Sequence, residues 1–194
     1  SSGDIEVRRL PSRVEKIERV AEDVVVLKLK LPANERFQFF AGQYIDVLLR
    51  EGKRRSYSMG NPPHRNEYLE LHVRSMANGT FTKQVFETLK EKDILRFEGP
   101  LGTFFLREET EKPIILVASG TGFAPIKSII EYTFEKKMSR TMVLYWGGRR
   151  PKDIYMSELA NQWQDEYDNF TFIPVVSDQE PEDELSLIHI SEPT

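Results

Sequence analysis

The sequence predicts a β + α/β protein in which a six-stranded antiparallel β-barrel precedes a partial parallel α/β domain. Up to about residue 108, apolar and polar residues alternate with a period of two, which is the pattern of strands with one buried face. After residue 112, short continuous apolar runs are separated by helical stretches, as in a parallel sheet with connecting helices. We therefore predict a tag or linker at 1–8, the barrel domain at 9–108, an incomplete α/β domain at 109–184 and an unrelated tail at 185–194.

The barrel domain is predicted to contain several short strands and one helix. Two strands correspond to VVVLKLKL and YLELHVR, where leucine and valine side chains share one face. Similar strands are predicted at 12–20, 43–49, 54–59 and 93–98, between turn clusters such as GNPP and MANG. The segment TFTKQVFETLKEK has its apolar residues at helical spacing, with Thr80 or Thr82 as its N-cap. Short, evenly spaced strands of this kind are typical of a small barrel.

The α/β domain is predicted from three apolar strands and two helices. The strands are PIILVAS, TMVLYWG and FTFIPVV, and continuous apolar runs of this kind are expected of strands buried on both faces. The helices between them are IKSIIEYTFEKK and DIYMSELANQWQDEY, with Asp153 as the N-cap of the second. This alternation predicts the beginning of a doubly wound parallel sheet.

The composition argues against several classes of function. The 194 residues include 27 basic and 31 acidic ones, for a formal net charge of −4, so a nucleic acid partner is not expected. There is no cysteine, which excludes disulfides, cysteine nucleophiles and cysteine-ligated iron–sulfur clusters within these residues. The three histidines are too scattered to predict a metal site. No apolar run approaches the ~20 residues of a membrane-spanning helix, so we expect a cytoplasmic protein without a membrane partner.

The segment RRSYSM is the first candidate site. On a strand, Arg55 and Tyr57 project to one side, and Ser56 and Ser58 project to the other. A guanidinium one strand step from a phenol ring can bind a diphosphate while the ring stacks on a planar heterocycle. The alternative is a solvated strand face with a cation–π neighbour. The segment therefore predicts a site only together with its partners.

The segment HVRSMANGTFT is the second candidate. His72 and Arg74 share the polar face of their strand, and Gly79, Thr80 and Thr82 open the helix of the barrel domain. A glycine at a helix start lets the backbone approach a ligand, and the exposed N–H groups of the first turn favour a phosphate. The alternative is a turn glycine followed by an N-cap threonine.

The turn after the first α/β strand is the third candidate. Gly120, Thr121 and Gly122 stand at the carboxyl end of that strand, where open α/β sheets bind their ligands. The motif is not the full G-x-G-x-x-G, because Pro125 occupies the place of the third glycine. The position of the turn is therefore a better indication of a nucleotide site than its residues are.

The ends of the next two strands supply the remaining candidates. Arg149 and Arg150 follow the second α/β strand, and either could meet a ribose or a phosphate. Ser177 and Asp178 follow the third strand, where an acidic side chain accepts from ribose hydroxyls and repels a 2′-phosphate. The alternative for Ser177 and Asp178 is an ordinary polar loop.

Taken in order, RSYS, HVR, GTFT, GPLGTFF, GTGFAP and YWGGRR resemble the ferredoxin–NADP reductase superfamily. Within it, RRSYSMGNPP, GPLGTFFL and LVASGTGFAPIKSII are most similar to the flavin-containing reductases of bacterial multicomponent systems, the group of the CDP-6-deoxy-glucoseen reductases and oxygenase reductases. The resemblance extends over residues 5–180. It implies an NAD(P)H-dependent FAD reductase that passes electrons to an iron–sulfur or other one-electron partner.

The resemblance also implies the cofactors, FAD and NADH (or NADPH), and the residues that hold them. Arg55 would hold the flavin diphosphate, and the catalytic positions at the reacting rings would be Tyr57, Ser58 and Thr121. The implied FAD contacts are Arg55, Ser56, Tyr57, Ser58, His72, Val73, Arg74, Gly79, Thr80 and Thr82. The implied nucleotide contacts are Gly120, Thr121, Gly122, Arg149, Ser177 and Asp178, of which the last two favour NADH over NADPH.

Two departures from the family pattern shape the expected partners. Close relatives have a cysteine-ligated [2Fe–2S] domain before the flavin barrel. Because this sequence has no cysteine, an electron acceptor with such a cluster is expected in trans or on a missing N-terminal domain. The tail LSLIHISEPT matches nothing expected of the family, which predicts a shortened reductase with an incomplete NADH half-site. The alternative function is a non-catalytic module that binds flavin or nucleotide.

Overall fold

A computed structural model describes residues 5–178. Part of the predicted linker and all of the predicted tail at 185–194 lie outside the described residues. The elements are β1 (Arg8–Ala21), β2 (Val24–Lys30), β3 (Tyr44–Leu48), β4 (Arg54–Ser58), β5 (Tyr68–Arg74), α1 (Thr80–Glu87), β6 (Ile94–Leu101), β7 (Ile114–Ser119), α2 (Phe123–Glu135), β8 (Met142–Gly148), α3 (Ser157–Glu166) and β9 (Phe170–Val176).

Tertiary contacts divide the chain into two units. The first contains the residues up to Leu106 together with Ala124–Lys136, and the second contains Arg107–Phe123 and the residues from Lys137 onward. Almost all of α2 therefore belongs to the first unit, although the sequence predicts a single change of domain after residue 108. No helix in the described part of the chain is long and apolar enough to cross a membrane.

The first unit is built on a six-stranded antiparallel sheet in the order β4-β3-β6-β1-β2-β5, which confirms the six antiparallel strands predicted. The two edge strands, β4 and β5, meet through a bridge between Met59 and Leu71. Beyond it the Gly60 N–H donates to the Glu70 carbonyl at 2.8 Å, and the Glu70 N–H donates to Asn61 Oδ1 at 2.9 Å. The two edges of the sheet therefore meet through the segment after β4. The predicted barrel would have a continuous ladder of hydrogen bonds around it, and the described strands do not form one.

The core of this unit follows the predicted alternation. In β2 and β5, Leu27, Leu29, Leu69 and Leu71 have no exposed surface, because they lie on the inner face of the curved sheet. The ring of Phe97, in β6, packs edge-on against another buried phenylalanine with centroids 5.3 Å apart. Removal of this apolar surface from water is the main term that stabilises the unit.

The opposite face of β5 is buried as well, although the sequence indicated a polar strand face. Glu70 and His72 are 8% and 3% exposed, and Nε2 of His72 lies 2.8 Å from Oε2 of Glu70. From α2, Nζ of Lys127 reaches the same Oε2 at 3.1 Å and Oε1 of Glu131 at 2.6 Å. Two carboxylates therefore share one ammonium group inside the unit.

These contacts set the charge of both partners. Burial alone would raise the pKa of Glu70, but the hydrogen bond from His72 and the positive charge of Lys127 outweigh burial and lower that pKa to about 2. Burial likewise opposes the charge of Lys127, and the charges of Glu70 and Glu131 outweigh it, so its pKa is raised above the ordinary value. The pair is therefore ionised at neutral pH.

The second unit contains a three-stranded parallel sheet in the order β7-β8-β9, as predicted. Its buried face is lined by Leu116, Leu144, Trp146 and Phe172. The other face includes Ile115 and Val117, which are 68% and 71% exposed. The prediction that PIILVAS is buried on both faces is wrong for the described residues, because none of them covers this second face.

Two predicted helix starts also differ from the structure. Gly79 is the N-cap of α1 and no side chain caps it, so neither threonine has the predicted N-cap role. The second difference is that α3 begins at Ser157, after a short 3₁₀ turn at Pro151–Asp153. Oδ2 of Asp153 accepts from the N–H groups of Arg149 and Arg150, so Asp153 caps this turn and not the helix.

We expect the stability of the protein to depend on Glu70 at acid pH. Its pKa is lower in the folded protein, at about 2, than its ordinary value of 4.5. Its contribution is therefore complete above pH 4.5 and is lost as the pH falls to about 2. This corresponds to about 3 kcal/mol in the free energy of unfolding, measurable by urea denaturation in steps from about pH 6 to about pH 2.

Glu70→Gln is the variant for this measurement. Its free energy of unfolding should lie below that of the wild type at neutral pH, and the difference should close as the pH falls. Glu67→Gln, at an exposed position before β5, is the control and should keep the wild-type profile. A Glu70→Gln profile parallel to the wild type would contradict the role assigned to the carboxylate.

Candidate functional site

Strand β4 contains two adjacent arginines, and they differ in their ion pairing. Arg54 forms ion pairs with Glu98 and, at a longer distance, with Asp46, and both raise the pKa of Arg54. Arg55 is exposed, and its Nη1 donates to the carbonyl of Arg54 at 2.7 Å. Among the described residues no carboxylate lies within ion-pair distance of Arg55. Its guanidinium charge is therefore available to an anionic ligand.

The next residues of β4 lie between the sheet and solvent. The ring of Tyr57 is half-buried, packs against the core and lies 5.8 Å from the ring of Phe81 in α1. Burial raises the pKa of the Tyr57 hydroxyl, and the charge of Arg55 opposes the rise. The Ser56 hydroxyl donates to Oδ1 of Asp46 at 2.6 Å, whereas Ser58 is half-buried at the end of the strand. The structure therefore brings Arg55, Tyr57 and the start of α1 into one region.

Strand β5 places its three predicted contacts in three environments. The His72 ring is enclosed beside Glu70, and Val73 is fully buried in the core. Arg74 is exposed, and its Nε lies 3.1 Å from Oδ2 of Asp23 in an ion pair whose side chains are 50% and 40% exposed. Of these side chains, Arg74 alone faces solvent, so a ligand along β5 would meet the other two residues through their backbone.

The turn before α1 is tightly built. A Cβ atom at Gly79 would lie 2.7 Å from Oγ1 of Thr82, so a larger residue would displace that hydroxyl. Oγ1 of Thr82 accepts from the Met76 N–H at 3.1 Å and donates to the Gly79 carbonyl at 3.2 Å. Thr80 is exposed at the first helical position. Helix-start N–H groups at such a turn attract anions.

In the second unit, the predicted nucleotide turn is a short 3₁₀ segment at Gly120–Gly122, directly after β7. Gly120 has φ of +54°, in the left-handed region that favours glycine. A Cβ at Gly122 would meet nothing within 4 Å, so the turn is open on that side. The half-buried Thr121 lies between the two glycines.

Trp146 holds this turn, a role that the sequence reasoning missed. Its Nε1 donates to the Gly120 carbonyl at 3.2 Å, and its ring stacks on that of Phe123 with centroids 3.9 Å apart. The available signal was a tryptophan at the carboxyl end of an apolar strand, because buried tryptophans usually find a partner for their N–H.

The carboxyl ends of β8 and β9 bring the last three predicted residues together. Nη2 and Nε of Arg149 lie 2.8 and 3.0 Å from Oδ2 of Asp178. The N–H groups of Asp178 and Ser177 donate to the carbonyls of Arg149 and Gly148. Arg149 and Asp178 thus form an exposed ion pair on a fixed backbone, beside the exposed Ser177.

Two family models match successive parts of the chain. The model of the oxidoreductase FAD-binding domain matches residues 11–106, and that of the oxidoreductase NAD-binding domain matches residues 116–193. The chain is 44% identical over 173 residues to the CDP-6-deoxy-L-threo-D-glycero-4-hexulose-3-dehydrase reductase of Yersinia pseudotuberculosis, covering 89% of this chain and 52% of that protein. It is 30% identical over 159 residues to the NAD(P)H-flavin reductase of Aliivibrio fischeri, covering 79% of this chain and 67% of that protein.

A solved reductase structure has a similar fold. The cytochrome P450 reductase GcoB of Amycolatopsis superposes with a TM-score of 0.84 at 34% identity, over 91% of this chain and 54% of that one. The chain thus spans about half the length of the first relatives it matches. The matched domains and the identities to these reductases show that the chain belongs to the ferredoxin–NADP reductase superfamily of FAD- and NAD-binding oxidoreductases.

Proposed function

We propose that this chain is the electron-input part of a flavoprotein reductase, which takes electrons from NADH through FAD to a one-electron acceptor. The observation that favours this function most is the guanidinium of Arg55, which forms no ion pair with a described carboxylate and lies one strand step from the half-buried ring of Tyr57. A cation beside an aromatic surface suits a ligand that joins a diphosphate to a flat ring system, as FAD does.

The residues of the first unit fit FAD in this proposal. Arg55 binds the diphosphate, Gly79 lets the backbone approach the phosphates, and the helix start at Thr80 and Thr82 adds N–H donors for them. Tyr57 lies against the isoalloxazine ring, and Ser58 lies beside it. The remaining proposed FAD contacts are backbone groups of His72 and Val73, the side chain of Arg74 and the Ser56 hydroxyl.

The residues of the second unit fit a pyridine nucleotide. The open turn at Gly120, Thr121 and Gly122 follows a strand of a parallel sheet, where such ligands bind. We assign Thr121 to the nicotinamide end. FAD held by the first unit would supply a hydride acceptor for the reduced nicotinamide and a donor of single electrons. The chain itself contributes orientation and charge, for which no general acid or base is needed.

The electron acceptor in this proposal has a [2Fe–2S] cluster. The cluster belongs either to a separate protein or to a further domain outside these residues. The names of the relatives support an electron-transfer partner, since they are a dehydrase reductase and a cytochrome P450 reductase. The cytoplasm, where NADH is available, is the compartment that this function predicts.

The visible absorbance spectrum tests the proposal directly. The purified chain, supplied with FAD and freed of excess, should show a flavin spectrum that bleaches on anaerobic addition of NADH. A flavin spectrum that stays unbleached would favour the alternative, a flavin-binding module without reductase activity. A folded chain that takes up no FAD would refute the assignment of the first unit.

We expect Arg55→Ala to weaken FAD binding without loss of fold. Loss of a charged hydrogen bond to the diphosphate should raise the dissociation constant about 10- to 100-fold, measured by fluorescence titration. Lys53→Ala, at an exposed cation two residues away, is the control and should bind FAD like the wild type. Unchanged affinity in Arg55→Ala would remove the diphosphate role.

We also propose that the ion pair between Arg149 and Asp178 sets the preference for NADH. The Asp178 carboxylate occupies the guanidinium of Arg149, which would otherwise attract the 2′-phosphate of NADPH. The carboxylate also suits ribose hydroxyls and repels that phosphate, and Ser177 lies beside it as a further hydroxyl contact.

Asp178→Ala should therefore shift the preference toward NADPH. We expect the ratio of kcat/KM for NADPH to that for NADH to rise about tenfold, measured with ferricyanide as the acceptor. The double variant Arg149→Ala/Asp178→Ala should lose most of this gain, because the cation that attracts the phosphate is gone. A gain that persists in the double variant would mean that Arg149 takes no part.

A further inference from the structure

A buried polar cluster joins α2 to the strands that hold the proposed FAD contacts. It consists of Glu70, His72, Lys127 and Ser128, whose exposed fractions are 8%, 3%, 8% and 0%. Neither Lys127 nor Ser128 is among the residues assigned to a cofactor. Both lie in the first unit with β4 and β5.

Two consecutive side chains of α2 hold two consecutive backbone carbonyls. Nζ of Lys127 donates to the Gly60 carbonyl at 3.4 Å, and Oγ of Ser128 donates to the Asn61 carbonyl at 2.8 Å. Gly60 and Asn61 follow β4 directly after Met59. The main chain that leaves Tyr57 and Ser58 is therefore fixed by α2.

The other side of the same segment is held by β5. The Gly60 N–H and the Asn61 side chain both bond the backbone of Glu70. A Cβ at Gly60 would lie 2.7 Å from Oε2 of Glu70 and 2.8 Å from Nε2 of His72. The segment thus has no room to shift toward the cluster without moving the carboxylate or the ring.

Stability alone does not explain a charged lysine at this place. Desolvation offsets much of the attraction within a buried ion pair, and apolar side chains of similar volume often stabilise a core equally well. An ammonium group differs from an apolar side chain because it forms a hydrogen bond of defined geometry. Lys127 donates to the Gly60 carbonyl while its ion pairs with Glu70 and Glu131 fix its position.

We propose that Lys127 and Ser128 are positioning residues of the FAD site. They hold the Gly60–Asn61 backbone, and through it they fix the end of β4 where Tyr57 and Ser58 meet the flavin. This inference rests on the proposed function, since it assigns the two residues to the same cofactor.

The test compares FAD binding and local backbone opening in the 194-residue chain. Lys127→Met removes the ammonium but keeps the length of the side chain. It should raise the FAD dissociation constant about tenfold, because the binding site would then be ordered in only about a tenth of the molecules. It should also alter the visible circular dichroism of the bound flavin and speed amide exchange at Gly60, measured by NMR. Lys127→Arg, which keeps the charge, should restore most of the affinity.

Two further variants keep the test decisive. Ser128→Ala removes a single hydroxyl and should raise the dissociation constant about fivefold, and it decides the question if Lys127→Met does not fold. Lys136→Met, at an exposed position just after α2, is the control and should behave like the wild type.

The outcomes separate this inference from the proposed function. A folded Lys127→Met with wild-type affinity, dichroism and Gly60 exchange would overturn the positioning role, even if it unfolded at a lower temperature. If the wild type takes up no FAD, the proposed function fails, and exchange at Gly60 still decides whether the two residues position the backbone.

Discussion

The assembly of the first unit depends on one positive charge enclosed by two carboxylates. Lys127 lies between Glu70 and Glu131, and its charge makes the burial of Glu70 tolerable. Without it, β5 would present a carboxylate and an imidazole to an interior that disfavours charge. The ion pair therefore allows the outer face of β5 to be covered by a helix, so this strand is buried on both sides.

The strands and helices follow local patterns, and the sequence predicts them well. The alternation in VVVLKLKL and YLELHVR identifies β2 and β5, because one face of each packs into the core. What the sequence cannot show is the covering of the second face, since that depends on residues far away. Glu70 and His72 have the pattern of a solvated face and are buried, whereas Ile115 and Val117 have the pattern of a buried face and are exposed.

The candidate site shows the same limit at the level of single side chains. Arg54 and Arg55 are equivalent in the sequence, and alternation assigns them only to opposite sides of β4. Their ion pairs differ because Arg54 reaches Asp46 in the neighbouring strand β3 and Glu98 in β6, the next strand beyond it. The contact of Trp146 with Gly120 was also not predictable from the sequence. It joins the ends of two neighbouring parallel strands, and no local pattern reveals their register.

The course of α2 has a consequence for how such proteins can be recombined. This helix follows β7 in the chain, yet by its contacts it belongs to the six-stranded unit. A gene exchange at the apparent boundary near residue 107 would therefore take Lys127 and Ser128 from one parent, and Glu70 and Asn61 from the other. A viable hybrid needs matching residues on both sides of the crossover, so the two halves are constrained to be inherited together.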